Sequence, residues 1–290
     1  MSSIVGKGEN KALYVCRMFA SIARRYDLLN AILSFGFDSG WRRFTIAQIE
    51  GIPNGLILDL ATGTGKIALL AARCNLGSTV VGVDFCPEML AVARERLVKV
   101  KSTPFIPNPL PSPFCKGGYR RIFKLGDTPK SPGPSGTGRT PLFWRSAKSP
   151  AVNRMHLVQG DALRLPFPDS TFDCVTIGFA LRNVTSIAQL FAEMARVTKP
   201  GGKMVSLELT RPSLRVLGPL HKLYIKIVIR CVGGMVSGKW DAYTYLPQSI
   251  LEFPSPEEVQ KVMEAAGWRS VEIHRLTFGT ATVQTGIKEG

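Results

Sequence analysis

Two carboxylates and a pair of glycines carry the most readable chemistry of this chain. The stretch Leu56-Ile-Leu-Asp-Leu-Ala-Thr-Gly-Thr-Gly-Lys66 puts Asp59 at the end of a short apolar run, with Gly63 and Gly65 in a turn before an Ala/Leu-rich segment. A second apolar run, Val80-Val-Gly-Val-Asp84, also ends in an acid. This order predicts a strand–loop–helix–strand unit with a carboxylate at each strand tip, where an open α/β sheet binds its ligand. Glycine lets the backbone approach that ligand without a Cβ in the way. Asp84 is placed to accept hydrogen bonds from both hydroxyls of a ribose. Two ligand classes use such a unit: dinucleotides and S-adenosylmethionine.

Gly63, Gly65 and Ala68 fit G-x-G-x-x-G/A, and Asp84 follows at about the 20-residue distance of the dinucleotide fingerprint. Against that reading, Asp59 directs a carboxylate at the loop where a pyrophosphate would sit. S-adenosylmethionine carries no phosphate and offers a cationic amino group instead. Gly77 and Ser78 also leave the crossover helix short. Downstream come Gln159-Gly-Asp-Ala162, Leu165-Pro-Phe-Pro-Asp-Ser-Thr-Phe-Asp173 and Arg196-Val-Thr-Lys-Pro-Gly-Gly202. In order and spacing the set resembles the class I methyltransferases. That resemblance implies a Rossmann-like, seven-stranded, mostly parallel sheet with an antiparallel edge strand, helices on both faces, and S-adenosyl-L-methionine as cofactor.

Two further stretches narrow the resemblance. Phe19-Ala-Ser-Ile-Ala-Arg-Arg-Tyr-Asp-Leu-Leu-Asn30, with Leu33-Ser-Phe-Gly36 and Trp41-Arg-Arg43, is similar to the amino-terminal signature of the quinone-biosynthesis C-methyltransferases. Thr176-Ile-Gly-Phe-Ala-Leu-Arg-Asn-Val184 resembles that family's second signature. The family methylates a ring carbon of demethylmenaquinol or of a ubiquinol precursor, and the Gly178 variant with Arg196–Gly202 resembles the menaquinone branch more. For the cofactor, the resemblance implies Gly63, Thr64 and Gly65 in the loop, Asp84 on the ribose, Asp161 and Ala162 near the adenine, and Asp59 toward the methionyl amino group. As simpler roles, Thr64 would cap a helix and Asp161 would serve a turn. For catalysis it implies Tyr26, Arg182 and Asn183: Arg182 against the quinol oxyanion, Asn183 orienting it, Tyr26 on the substrate side. Arginine is too weak an acid to serve as a literal base, and the alternative for Arg182 is a structural ion pair. Two residues depart from the family pattern. Lys66 stands where an acid is usual, which would weaken the hold on the cofactor's amino group, and Gly178 replaces a serine of the ubiquinone branch.

Composition bounds the rest. A chain of 290 residues suits one α/β domain plus an excess. Six scattered cysteines without a C-x-x-C pair, and three histidines, argue against a zinc site or a disulfide framework and fit a reducing cytoplasm. No metal is expected, and no signal peptide is evident at the amino terminus. The formal charge of +16 is concentrated: residues 101–154 hold ten basic residues against one acid, leaving 27 basic and 20 acidic elsewhere. The +7 remainder suits an anionic membrane surface or plain solubility, and no aromatic-and-basic motif supports nucleic-acid binding.

Residues 101–150 also hold ten of the twenty prolines, with no helical or strand period. The expected organisation is one methyltransferase domain over 1–100 and 155–290, residues 1–50 forming a helical substrate cap, and a Pro/Gly/basic insertion over 101–154 that is mostly disordered. Strands are expected at Leu56–Leu60, Val80–Asp84, Met155–Gln159, Phe172–Gly178, Lys203–Glu208, Ser270–Leu276 and Thr280–Thr285, with helices after Gly65, Pro87, Ser186, Leu214 and Ser255. Leu214–Val236 carries too many charges to span a membrane and reads as a helix lining a greasy pocket or packing in the core. The expected partner is a prenylated quinol; peripheral contact with the inner face of a membrane and homo-oligomerisation are both compatible with the sequence. A related methyltransferase with another lipidic acceptor, or a paralogue that binds cofactor without turnover, are the competing functions.

Overall fold

The structure, a computed structural model, describes residues 11–49, 52, 54–75, 77–102, 154–212 and 240–290. The expected insertion, apart from its first two residues and Arg154, and the expected Leu214–Val236 helix lie outside them. The chain begins with α1 (Lys11–Leu33) and α2 (Phe37–Ala47), then β1 (Leu56–Leu60), α3 (Lys66–Cys74), β2 (Thr79–Asp84), α4 (Pro87–Ser102) and β3 (Met155–Gln159). It continues through β4 (Phe172–Gly178), α5 (Ile187–Val197), β5 (Thr198–Leu209), α6 (Trp240–Glu252), α7 (Pro256–Ala265), β6 (Trp268–Leu276), a 3₁₀ turn (Thr277–Gly279) and β7 (Ala281–Lys288).

These strands form one sheet of order β3-β2-β1-β4-β5-β7-β6. The neighbours from β3 to β5 pair in parallel, while β7 runs antiparallel to both β5 and β6. The expected hairpin therefore closes one edge, its antiparallel member being the inner strand. Strand order reverses between β1 and β4, and it is outside the carboxyl ends of such a pair that an open sheet leaves a crevice for a ligand.

Alternation along β1 shows how the sheet is covered. Ile57 joins a core with Trp41, Phe44, Ile67 and Ala68, whereas Leu58 and Leu60 join a second core with Phe172, Phe191, Met194 and Trp268. Successive strand residues face opposite sides, so α2 and α3 cover one face and α5 and α7 the other. Trp268 is fully buried and its indole N–H donates to the Phe191 carbonyl at 3.2 Å, which satisfies its single donor. Helix starts are local in origin. Ser255 and Glu258 form a reciprocal capping box on α7 with Pro256 in its first turn, and Ser186 accepts from the Gln189 amide at the start of α5.

Two helices were not foreseen as such. Helix α2 follows a left-handed turn at Phe35 and Gly36 (φ 50° and 78°), and α6 carries an internal Pro247. Strand β5 starts five residues before its expected first residue because Thr198 pairs with Phe172. A register shift between Phe172 and Cys174 then absorbs the Lys199-Pro-Gly-Gly202 turn. Helix α1 packs against α4 and α6, and α2 against α3, so the amino-terminal helices sit by the carboxyl end of the sheet.

Candidate functional site

At its carboxyl end β1 runs into Ala61-Thr-Gly-Thr-Gly65, where Ala61, Gly63 and Gly65 all take left-handed backbone (φ 47°, 56° and 76°). The loop is tied to β2 by the residue the sequence pointed to. One oxygen of Asp84 accepts from the Gly63 amide at 2.7 Å, and the other from the Cys86 amide at 2.8 Å. Burial pushes the Asp84 carboxyl up, and these backbone donors oppose it. Asp59 lies beneath the loop, only 1% exposed, accepting from Thr62 Oγ1 at 2.6 Å and Thr176 Oγ1 at 2.7 Å. Burial raises its pKa to about 6 against those two bonds.

In front of the loop is a cleft of about 1130 Å³, its open mouth included. Gly63, Asp84, Phe85, Asp161 and Ala162 line one side, and Phe19 and Tyr26 of α1 the other. The described lining residues include two acids and no Lys, Arg or His. Such a wall would repel a pyrophosphate and suits a phosphate-free nucleoside with a cationic end. Asp84 and Asp161 set carboxylate acceptors at two places on this wall, with apolar surface beside them. Asp161 is exposed and accepts from the Leu163 amide at 2.9 Å, the turn geometry of a short acidic side chain, while still facing the cleft.

Of the expected cofactor residues, Gly63, Asp84, Asp161 and Ala162 reach the cleft wall, whereas Asp59, Thr64 and Gly65 stand behind it. Thr64 donates to Asp27 Oδ1 at 2.9 Å and accepts from Arg96 at 3.1 Å. A Cβ at Gly65 would meet Ala93 Cβ at 3.2 Å, so this glycine serves close packing of α3 on α4.

A second cavity of about 980 Å³ adjoins the first, with Tyr26 and Phe179 in both walls. Its interior end holds the buried Asp38, Arg182 and Thr210, and its mouth the exposed Phe35 and Phe37. Between the two, a smaller pocket brings Tyr26, Arg182 and Asn183 together with Asn30 and Tyr245. Arg182 pairs with Glu208, both about 95% buried, so the ion pair is real. It leaves Arg182 Nε buried without a hydrogen-bond partner among the described residues. Asn183 donates to the Phe179 carbonyl and accepts from the Tyr245 hydroxyl, each at 3.3 Å. Burial pushes the Tyr26 phenol up, partly offset by the Arg182 charge, so it stays a neutral donor.

Comparison with known proteins agrees with this geometry. The model of the ubiE/COQ5 methyltransferase family matches residues 6–105 and 144–288. The chain belongs to this family. A demethylmenaquinone methyltransferase of Deinococcus radiodurans is 37% identical over 284 residues, covering 98% of this chain and 96% of its own. A ubiquinone/menaquinone biosynthesis C-methyltransferase of Geotalea daltonii is 35% identical over 289 residues, covering 99% of this chain and all of the relative. In fold, a SAM-dependent methyltransferase from Thermotoga maritima superposes with a TM-score of 0.55 at 16% identity, over 94% of this chain and 99% of that one. The unmatched residues 106–143 fall within the segment read as an insertion. The chain is a methyltransferase, and S-adenosylmethionine is its methyl donor.

The methyltransferase has functional features that the sequence alone did not disclose. Phe179, between the two cavities, is held at φ 59°, a conformation bulky residues rarely adopt, with the Arg42 guanidinium 5.1 Å from its ring centre. Asp38 is the one acid and Arg182 the one cation lining the second cavity among the described residues. Asp38 lies in the amino-terminal signature between Gly36 and Trp41. Tyr245 reaches the site from α6 with no local motif to mark it. Lys66, which stands where the family has an acid, turns its ammonium to Asp27 at 3.3 Å and Asp38 at 3.8 Å on α1 and α2. A Cβ at Gly178 would come within 2.3 Å of Ile67 Cδ1, so the missing serine is matched by a neighbour that fills its space. No described helix is long and apolar enough to cross a membrane.

Proposed function

We propose that this methyltransferase carries a methyl group from S-adenosylmethionine to a ring carbon of a prenylated quinol, demethylmenaquinol in the first instance. The observation that carries the reading is the meeting of Tyr26, Arg182 and Asn183 at the seam between a nucleoside cleft and a mainly apolar cavity. The names of the similar proteins from Deinococcus and Geotalea point to the same acceptor class. The same reading makes residues 1–50 a substrate cap and 101–154 an insertion outside the site. It also makes the protein cytoplasmic, peripherally attached to the inner face of a membrane, and compatible with a homo-oligomer.

The cofactor, held by Asp84, Asp161, Ala162 and the Gly63 loop, with Asp59, Thr64 and Gly65 shaping that loop from behind, supplies an already electrophilic methyl group. The protein's share is to position the acceptor in line and raise the electron density of its ring. A quinol becomes a carbon nucleophile as a ring hydroxyl loses its proton. Arg182, with its unused Nε donor, stabilises the oxyanion; Asn183 orients it; Tyr26 donates as a neutral phenol. Asp38, the carboxylate in the same cavity, accepts the proton. Closure by α1 and α2 excludes water from both. The test is transfer of label from S-adenosylmethionine to chemically reduced demethylmenaquinone in detergent. Label in menaquinol that disappears in Arg182→Ala supports the reading. Cofactor binding without transfer to this quinol or to the ubiquinol precursor refutes it.

A further inference from the structure

The second cavity has a direction. Its closed end holds Arg182 and Asp38, 7% and 4% exposed, and its open end holds Phe35 and Phe37, 75% and 52% exposed. The 3₁₀ turn contributes Thr277 and Thr280 to the same wall and projects Phe278 outward, 68% exposed. Ile32, 41% exposed, precedes Phe35 and accepts its amide hydrogen bond. Two separate loops thus bring large apolar side chains to one rim, and Trp41 joins them by donating to Thr277 Oγ1 at 2.8 Å. Both outermost rings, Phe35 and Phe278, sit on left-handed backbone (φ 50° and 57°), where a bulky side chain is rare. Left-handed backbone strains a bulky residue, and exposed rings recover little of that cost in an isolated fold, which points to what the rings touch.

We propose that this phenylalanine rim is the surface by which the protein docks on an anionic lipid bilayer, so that the second cavity opens into the acyl region. The inference rests on the quinol reading for its reason. A ligand with a polar ring at Arg182 and a long apolar tail must send that tail out past Phe35 and Phe37. The phase that holds such a tail before and after turnover is the bilayer. Aromatic side chains favour the headgroup boundary, and an interfacial element sinks its apolar side to roughly 5–10 Å depth. The excess of 27 basic over 20 acidic residues outside 101–154 favours an anionic surface.

Phe278 does not line the cavity, so it separates docking from chemistry. Phe278→Asn is the informative variant, because asparagine accepts left-handed backbone and the thermal midpoint should hold or rise. Co-sedimentation of the full chain with phosphatidylcholine/phosphatidylglycerol vesicles, without quinol, should show binding. It should be weakened roughly tenfold in Phe278→Asn, by loss of one buried phenyl, and further in Phe35→Asn/Phe278→Asn. Methyl transfer to a short-tailed, water-soluble quinol should be unchanged in Phe278→Asn. Absence of wild-type binding, or equal binding by all variants, overturns the proposal. So does a dimer that Phe278→Asn splits while vesicle binding persists, since the rim would then face a second copy. Failure of the quinol reading shows separately, as no transfer to the soluble quinol by the wild type, and leaves the vesicle measurement standing.

Discussion

Replacing Glu208 with glutamine tests whether the buried pair at the seam is scaffold, chemistry or both. Glu208 is 3% exposed; besides pairing with the Arg182 side chain, it accepts from the amides of Arg182 at 3.3 Å and Leu209 at 2.9 Å. Glu208→Gln keeps the shape and an acceptor for one of the two amides but leaves the Arg182 guanidinium buried without a counter-charge. Breaking a buried pair from one side costs about 3–5 kcal/mol, and Arg182→Met, which strands Glu208, should cost a similar amount. The double variant strands neither charge, so the two losses should fall short of additive by about 2 kcal/mol. Denaturant unfolding of the four proteins gives this cycle. Methyl transfer separates the roles. Arg182→Met should lose about 10²–10³ in kcat through the missing oxyanion donor. Glu208→Gln should lose less, because its arginine is present but unanchored. Neither residue lines the nucleoside cleft, so S-adenosylmethionine affinity should stay within about threefold. Strict additivity would show that the pair is not coupled as the structure has it. An Arg182→Met protein with full turnover would remove Arg182 from the chemistry.

Further outcomes follow from the same geometry. Asp84→Asn should weaken S-adenosylmethionine by about 1.5–3 kcal/mol, by calorimetric titration, since a charged acceptor for the ribose is lost and only one of the Gly63 and Cys86 amides keeps an oxygen. Asp59 has a folded pKa of about 6 against an unfolded value near 3.9, so the native state holds its proton more tightly. That contribution is full below about pH 4 and is lost as pH rises through about 6; relative to wild type, Asp59→Asn should gain up to about 3 kcal/mol between those limits and hold it above, in denaturant melts from pH 4 to 8. Asp38→Asn should lower kcat about 10²–10⁴-fold in methyl-transfer assays, with cofactor affinity by calorimetric titration unchanged. Lys66→Ala should leave cofactor affinity within about twofold and cost about 1 kcal/mol or less of stability, because its ammonium faces Asp27 and Asp38 in partial exposure.

The sheet was legible because buried parallel strands are short apolar runs bounded by glycine, proline or acids, and all seven came within a few residues of their expected places. The tie between the glycine loop and β2 was legible for a related reason: both lie in one βαβ unit, where spacing along the chain maps onto spacing in the turn. Asp84 and Gly63, 21 residues apart, meet through one hydrogen bond. The second cavity was legible only in part. Tyr26, Arg182 and Asn183 came from resemblance, and nothing local in the sequence brings α1 to the loop after β4. Asp38 and Tyr245 join them through packing of α2 and α6, whose periodicity resembles that of any amphipathic helix. Where the Lys66 ammonium points was not legible, because its position at the start of α3 says nothing of the direction its long side chain takes. The pull of Asp27, which burial would raise but which Arg96 and Lys66 hold below the usual carboxylate range, decides that.

The placement of charge ties these features into one device. The nucleoside cleft shows its ligand acids alone, and the basic groups that could compete with a sulfonium are used up on its far side: Arg96 and Lys66 on Asp27, Arg42 on Asp38. The Arg96 and Lys66 pairs also join α1 to α4 and to the start of α3, so holding that helix in place and keeping these cations off the cleft go together. Across Phe179 the second cavity sets one cation, Arg182, beside its one acid, Asp38. Methyl transfer needs the sulfonium and the acceptor carbon about 3–3.5 Å apart, so the two must meet directly beside Phe179, which lines both cavities. If that reasoning holds, moving a positive charge to the cleft side, as in Ala162→Lys, should abolish cofactor binding while leaving the fold intact. The same charge at the outer rim should spare the cofactor and affect only the approach to lipid.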